Sequence, residues 1–166
     1  MIYRTEPLAE HDVEPFSCGN DALDEWLHRH ARTATGQGTR THVLVDTDGA
    51  VVGYFALTPH YLNRDEAPMR LARGAPRQIP AILLAELAVD RSIQGQGLGA
   101  ELLVRALDTI VDAARKAGGR VVLVQAIDDT AKAFYEHHDF QALAGHDRRL
   151  VMKLSTAAHA LGVQWP

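Results

Sequence analysis

Ala85-Glu86-Leu87-Ala88-Val89-Asp90-Arg91-Ser92-Ile93-Gln94-Gly95-Gln96-Gly97-Leu98-Gly99 is the stretch that decides the fold. An apolar run gives way to a short polar turn, then to glycine at three alternate positions, then to apolar residues at helical spacing. That succession predicts a buried strand, a glycine-rich loop and a helix. Glycine lets the main chain come close to a ligand, because no Cβ stands in the way. The N–H groups of a helix's first turn lack internal partners, and the helix dipole adds partial positive charge there. The stretch is therefore built as an anion site of the kind that holds a pyrophosphate.

The same reading extends in both directions. Leu102, Leu103, Ala106, Leu107, Ile110, Val111 and Ala114 form one apolar stripe, so a helix is predicted from about Leu98 to Ala117, stopped by Gly118-Gly119. Val121–Ala126 predicts a second buried strand, Asp128 or Asp129 can cap a short helix through Glu136, and Leu150–Leu154 predicts a last strand. Upstream of the strand Ile82–Val89, residues 59–80 hold Pro59, Pro68, Pro76, Pro80 and several arginines, which predicts a long connection. Thr41–Val45 and Val51–Leu57 flank the turn Asp46-Thr47-Asp48-Gly49 and predict a hairpin. Asn20 is an N-cap candidate for a helix carrying Leu23, Trp26, Leu27, His30 and Ala31 and ending near Thr35-Gly36. The order defines an α/β or α+β layer with helices on a mixed sheet. Residues 1–155 are expected to form a single domain and residues 156–166 a frayed C-terminal tail. Trp165 in that tail is a candidate subunit contact for a homodimer.

Composition narrows the class. The chain has 166 residues, 46% of them apolar and 23% charged, which suits one ordinary globular core. No apolar run is long enough to span a bilayer, and the first residues carry no signal-peptide pattern, so no membrane association is expected and a cytoplasmic location is. Cys18 is the only cysteine, which excludes an intramolecular disulfide, and it reads as a small buried hydrophobe. The formal net charge of -4 argues against a surface that grips nucleic acid all round. Charge is uneven, however. Residues 26–77 carry Arg29, Arg32, Arg40, Arg64, Arg70, Arg73 and Arg77 against Asp46, Asp48, Asp65 and Glu66, which leaves room for a local basic face. His137 and His138 are adjacent, and His28 and His30 are two apart on a helix, so neither pair shares a face and no metal site is expected.

Three loop classes compete for the glycines. A P-loop needs Lys-Ser/Thr after its last glycine, and none follows. A dinucleotide loop needs Gly-x-Gly-x-x-Gly with an acidic residue at the end of a second strand; here the spacing is Gly95-x-Gly97-x-Gly99, and Asp112 falls inside the helix. Gln94-Gly95-Gln96-Gly97-Leu98-Gly99 is similar to the third class, the Gln/Arg-x-x-Gly-x-Gly/Ala coenzyme A loop of the GNAT acetyltransferases. Asp129-Thr130-Ala131-Lys132-Ala133-Phe134-Tyr135-Glu136-His137-His138-Asp139-Phe140 resembles the next motif of that family, one strand further on. Two positions differ: Asp128 stands where the family often has Asn, and Asp139 where a glycine usually precedes the Phe.

The resemblance implies the GNAT fold: a central, mixed, mostly antiparallel sheet flanked by helices, with acetyl-CoA in the splay between the central parallel strands. It implies acetyl-CoA as donor, with the pantetheine arm along Leu87, Ala88 and Val89 and the pyrophosphate on the N–H groups of Gln94, Gly95, Gln96, Gly97, Leu98, Gly99 and Ala100. Asp128 and Phe134 fall on further cofactor positions. Tyr135 matches the family's general acid; a phenol, ordinarily titrating at about 10, can hand a proton to a thiolate, whose acid titrates at about 8.5. Glu86 interrupts an apolar strand, so its carboxylate must face a polar space or find a partner. In some GNAT enzymes an acidic residue on this strand activates the amine, which makes Glu86 a candidate base beside the plainer reading of a paired structural carboxylate or one at the sheet's exposed edge.

The front of the chain is distinctive. Phe16-Ser17-Cys18-Gly19-Asn20-Asp21-Ala22-Leu23-Asp24-Glu25-Trp26-Leu27 resembles the opening of GNAT toxins from type II toxin–antitoxin systems, as do Leu83–Asp90 and Val124–Tyr135. This resemblance implies transfer to the α-amine of aminoacyl-tRNA, a ribbon-helix-helix antitoxin, and a tRNA-facing surface to which Arg64, Arg70, Arg73, Arg77 and Arg91 would contribute phosphate contacts. The acidic total charge and Glu86 keep open a free-standing N-acetyltransferase for a small-molecule or protein amine. A non-catalytic CoA-binding module is the third reading.

Overall fold

A computed structural model describes residues 2–166. They form two compact units: residues up to Thr58 with Ala85–Ala106, and Pro59–Leu84 with Leu107–Pro166. Strands β3 (Val51–Asn63) and β4 (Gln78–Val89) and helix α4 (Leu98–Ala117) each give one segment to either unit.

In the first unit, β1 (Arg4–Pro7) pairs antiparallel with β2 (Arg40–Val45), and β2 antiparallel with β3 across the predicted turn. Asp90 N–H donates to Val52 O (2.8 Å), so β3 and the end of β4 lie side by side. Asn20 is the N-cap expected: its side chain accepts from Leu23 N–H (3.1 Å) at the start of α1 (Asp21–Glu25). The helical run reaches Gly36, as its apolar spacing predicts, but widens to a π-helical turn over Trp26–His30 before α2 (Ala31–Gly36). The buried Tyr54 hydroxyl donates to Leu23 O (2.6 Å) just before that turn, and Trp26 stacks on the Tyr54 ring at 5.9 Å. An outside donor on a helical carbonyl is the kind of insertion that displaces the regular ladder. Leu23, Leu27 and Ala31 remain buried with Val13, Phe16, Val43 and Tyr54.

In the second unit, β4 runs parallel to β5 (Val121–Gln125), pairing Ala81–Leu84 with Val121–Val124. β5 pairs antiparallel with β7 (Arg149–Lys153), and β7 with β6 (Gln141–Ala142). The core gathers Leu62, Leu71, Ile79, Val121, Leu123, Leu143 and Val151. The seven strands, one parallel contact among antiparallel ones, and the helices between them are the mixed α/β class expected. All seven predicted stripe residues of α4 are buried.

Two expectations need correction, and two strands are added. The long connection at 59–80 is largely structured: β3 continues to Asn63, a 3-10 turn covers Arg64–Glu66, α3 spans Met69–Ala72, and β4 begins at Gln78. Arg64 N–H donates to Arg77 O (2.8 Å), which extends the pairing past the prolines. β1 and β6 go unread in the sequence. The tail after Ser155 is not frayed: α6 (Leu154–Ala160) buries Leu154, Ala157 and Ala158, and Trp165 lines a cavity of about 480 Å³ with Leu71 and Arg120. Among the described residues no helix is long and apolar enough to cross a membrane.

Asp139 is the one non-glycine residue with positive φ (71°) among those described, at the slot where glycine is usual. Phe140 N–H donates to Tyr135 O (3.0 Å) around it. An L-residue in the left-handed region costs about 1 kcal/mol, and Asp recovers only part of it locally. Asp139→Gly is expected to stabilise the protein by about 0.5 kcal/mol, read as a higher urea midpoint; an unchanged or lower midpoint contradicts it.

Candidate active site

The glycine loop is held in shape by its own chain. A 3-10 turn over Arg91–Ile93 leads from β4 into the loop, and Asp90 caps it, its carboxylate accepting from Ser92 N–H (2.9 Å) and Ser92 Oγ (2.7 Å). Gly95 (φ 80°) and Gly97 (φ 77°) adopt the left-handed conformation that favours glycine, and at both a Cβ would meet open space. Among the described residues, no acceptor faces the main-chain N–H groups of Gly95, Gln96, Gly97, Leu98, Gly99 or Ala100; the first internal bond of the turn is Glu101 N–H to Gly97 O (3.2 Å). This row of unpaired donors at a helix start fits a diphosphate. Gln94 contributes differently from the loop proper, since its side-chain amide donates to Cys18 O (2.7 Å) and Val89 O (2.9 Å).

Glu86 lies on β4 in the same unit, with Leu87, Ala88 and Val89 following it. It is half-buried, and among the described residues its carboxylate has neither an ion pair nor a hydrogen bond. Burial pushes its pKa up to about 7. The paired structural carboxylate weighed from sequence is therefore not what the fold contains. Its charge also helps hold the Tyr54 phenol well above its ordinary range, after the larger effect of burial. Burial, then the hydrogen bond to Asp24, pushes the Cys18 thiol up to about 11, away from the thiolate form.

In the second unit, Phe134 and Tyr135 lie on α5 (Asp129–His137), and Asp128 immediately precedes it. The Asp128 carboxylate accepts from Ala131 N–H (2.8 Å) and so caps this helix. Tyr135 is buried, edge-on to Phe134 at 5.3 Å and to Phe140 at 5.4 Å. Arg64, Arg70, Arg73 and Arg77 are all exposed. Two of them are committed within the fold: Arg64 donates to Ala75 O (3.1 Å) and Arg70 to the Gln141 side chain. Arg91 lies in the first unit, where its guanidinium donates to Ser17 Oγ (2.6 Å). No group of three or more His, Cys, Asp or Glu side chains suited to a metal occurs among the described residues.

Sequence reasoning missed the partners of the loop's entry, Ser17, Cys18 and Asp90, and Asp24 behind them. The available signal was Asp90-x-Ser92 as a capped turn just before the glycines.

A mixed α/β fold with a row of unpaired N–H groups between β4 and α4 fits the class of proteins that bind a phosphate-bearing cofactor, and comparison with known proteins gives the family. The acetyltransferase (GNAT) domain family matches residues 38–142, and the chain belongs to that family. It is an acetyl-transferring enzyme. A tRNA-acetylating toxin of Mycobacterium tuberculosis is 39% identical over 151 residues, 91% of each chain. The solved structure of AtaT complexed with acetyl-methionyl-tRNAfMet is similar at TM-score 0.87 and 27% identity, covering 96% of this chain and 99% of that one. A variant of AtaT bound to the C-terminus of the antitoxin AtaR and acetyl-CoA is similar at TM-score 0.82 and 26% identity, covering 98% and 99%.

Proposed function

We propose that this protein transfers the acetyl group of acetyl-CoA to the α-amine of aminoacyl-tRNA, as the toxin of a toxin–antitoxin pair. The observation that carries the proposal is the likeness to a tRNA-acetylating toxin over nine-tenths of both chains. The unpaired N–H groups of Gly95–Ala100 would take the pyrophosphate, and β4 at Leu87–Val89 the pantetheine arm. Asp128 and Phe134 would support the cofactor through α5, by capping and by packing. Glu86 would accept a proton from the acceptor's ammonium. The amine nitrogen then bonds to the acetyl carbon and sheds its second proton to water as the C–S bond breaks, while the Tyr135 hydroxyl gives its proton to the leaving sulfur and regains one from solvent. Arg64, Arg70, Arg73, Arg77 and Arg91 would face tRNA phosphates, Arg73 and Arg77 with the fewest internal commitments. A ribbon-helix-helix antitoxin is the expected partner, and a homodimer the expected assembly.

The test is transfer of labelled acetyl from acetyl-CoA to a panel of aminoacyl-tRNAs, free amino acids and polyamines. Label on aminoacyl-tRNA, together with growth arrest on expression, is the expected outcome. Active protein that expresses harmlessly and labels only small amines would overturn the toxin reading. It would favour the second one, a free-standing amine acetyltransferase, for which the unpartnered carboxylate of Glu86 speaks.

A further inference from the structure

The loop that reads as the pyrophosphate cradle is not braced by its neighbouring residues alone. Its donors point outward without acceptors, and two of its glycines sit at positive φ. Its bracing comes from the opening segment of the chain. The Gln94 amide donates to Cys18 O (2.7 Å) as well as to Val89 O (2.9 Å). Arg91 N–H donates to Ser17 O (2.8 Å), and its guanidinium to Ser17 Oγ (2.6 Å). In return Ser17 N–H donates to Asp90 Oδ2 (3.0 Å). The segment is anchored on α1 in turn: Cys18 N–H donates to Asp24 Oδ1 (2.8 Å), and Ser17 Oγ to Asp24 Oδ2 (3.4 Å). Asp24 makes no contact with the loop itself; it holds Ser17 and Cys18, which in turn bond Arg91 and Gln94 at the loop's entry.

We propose that Phe16–Asp24 is a brace that pre-forms the anion loop, with Asp24 and Gln94 as positioning residues for the acetyl donor. The opening motif then belongs to donor binding and is not a signature of the acceptor. The inference rests on the reading of Gly95–Ala100 as the pyrophosphate cradle. Its physical basis is preorganisation: a loop already fixed in its bound shape has less ordering entropy to lose when the ligand arrives. The carboxylates of Asp24 and Asp90 are both turned to N–H and O–H groups of the brace, which lowers their repulsion of a diphosphate.

The experiment is calorimetric titration of the full chain with coenzyme A, alongside urea unfolding of each variant. Asp24→Ala should weaken binding about tenfold. Asp24→Asn keeps the Oδ1 acceptor and should bind within about twofold of the parent. Gln94→Met removes both amide donors from an exposed side chain and should weaken binding at least as much as Asp24→Ala, which keeps the test decisive if the latter fails to fold. Parent-like affinity in Gln94→Met and Asp24→Ala overturns the brace, as does an equal loss in Asp24→Asn and Asp24→Ala. Failure of the parent protein itself to bind coenzyme A overturns the cradle reading instead, and that arm reports it separately.

Discussion

Tyr135→Phe lowers kcat by about 10²- to 10³-fold, the contribution expected of a positioned general acid. In free energy that is about 3–4 kcal/mol of lost transition-state stabilisation. The substitution isolates the hydroxyl, because the ring contacts to Phe134 and Phe140 that bury residue 135 are all available to a phenylalanine. Affinity for coenzyme A should therefore stay near that of the parent. The measurement is steady-state acetyl transfer at saturating donor, with coenzyme A release followed by a thiol reagent. A variant with parent-like kcat removes Tyr135 from the acid role and leaves it a packing residue of α5.

Glu86→Gln has the second large effect, and it shows in two pH profiles. As a base, Glu86 must be ionised, so kcat/KM of the parent rises tenfold per pH unit on the acid side and levels above about 7. The Gln variant should be about 10²-fold slower on the plateau and lack that limb. Stability runs in the opposite direction. The folded pKa, raised to about 7, lies above the ordinary 4.5 of the unfolded chain, so the native state binds the extra proton between those values. Stability from that proton is fully present below about pH 4.5 and is lost as pH rises through 7. Glu86→Gln, neutral throughout, should therefore be more stable than the parent at pH 8, by about 2–3 kcal/mol at most, and the gap should close towards pH 5. Urea midpoints across that range decide the matter; a constant gap means that the carboxylate ionises freely in the fold.

What the sequence disclosed was whatever depends on local spacing. The glycine triplet, the stripe from Leu102 to Ala114 and the cap at Asn20 all follow from residues within a turn or two of one another. What stayed hidden depends on distant partners. β1 is four residues of mixed character, with no alternation to reveal it, and exists because β2 pairs with it. Pro59 and Pro80 read as loop punctuation, yet both lie within strands, and Pro80 O accepts from Arg120 N–H (2.8 Å). Nothing in the arginines of residues 64–77 announced that Arg64 would spend its charge on a carbonyl and Arg70 on Gln141. The lack of a partner for Glu86 could not be read either, since its only signal was a carboxylate where an apolar residue was due.

The donors of the anion loop are all peptide groups, and this sets how the site can change. A phosphate clamp made of lysines can be dismantled one side chain at a time. Here an exchange of Gln96 or Ala100 leaves every N–H in place, whereas a proline, or a side chain at the positive-φ Gly95 or Gly97, reaches the donors directly, and a change at Gln94 or Asp24 reaches them through the brace. Drift is thus free at some of the loop's letters and checked at the few that hold its backbone.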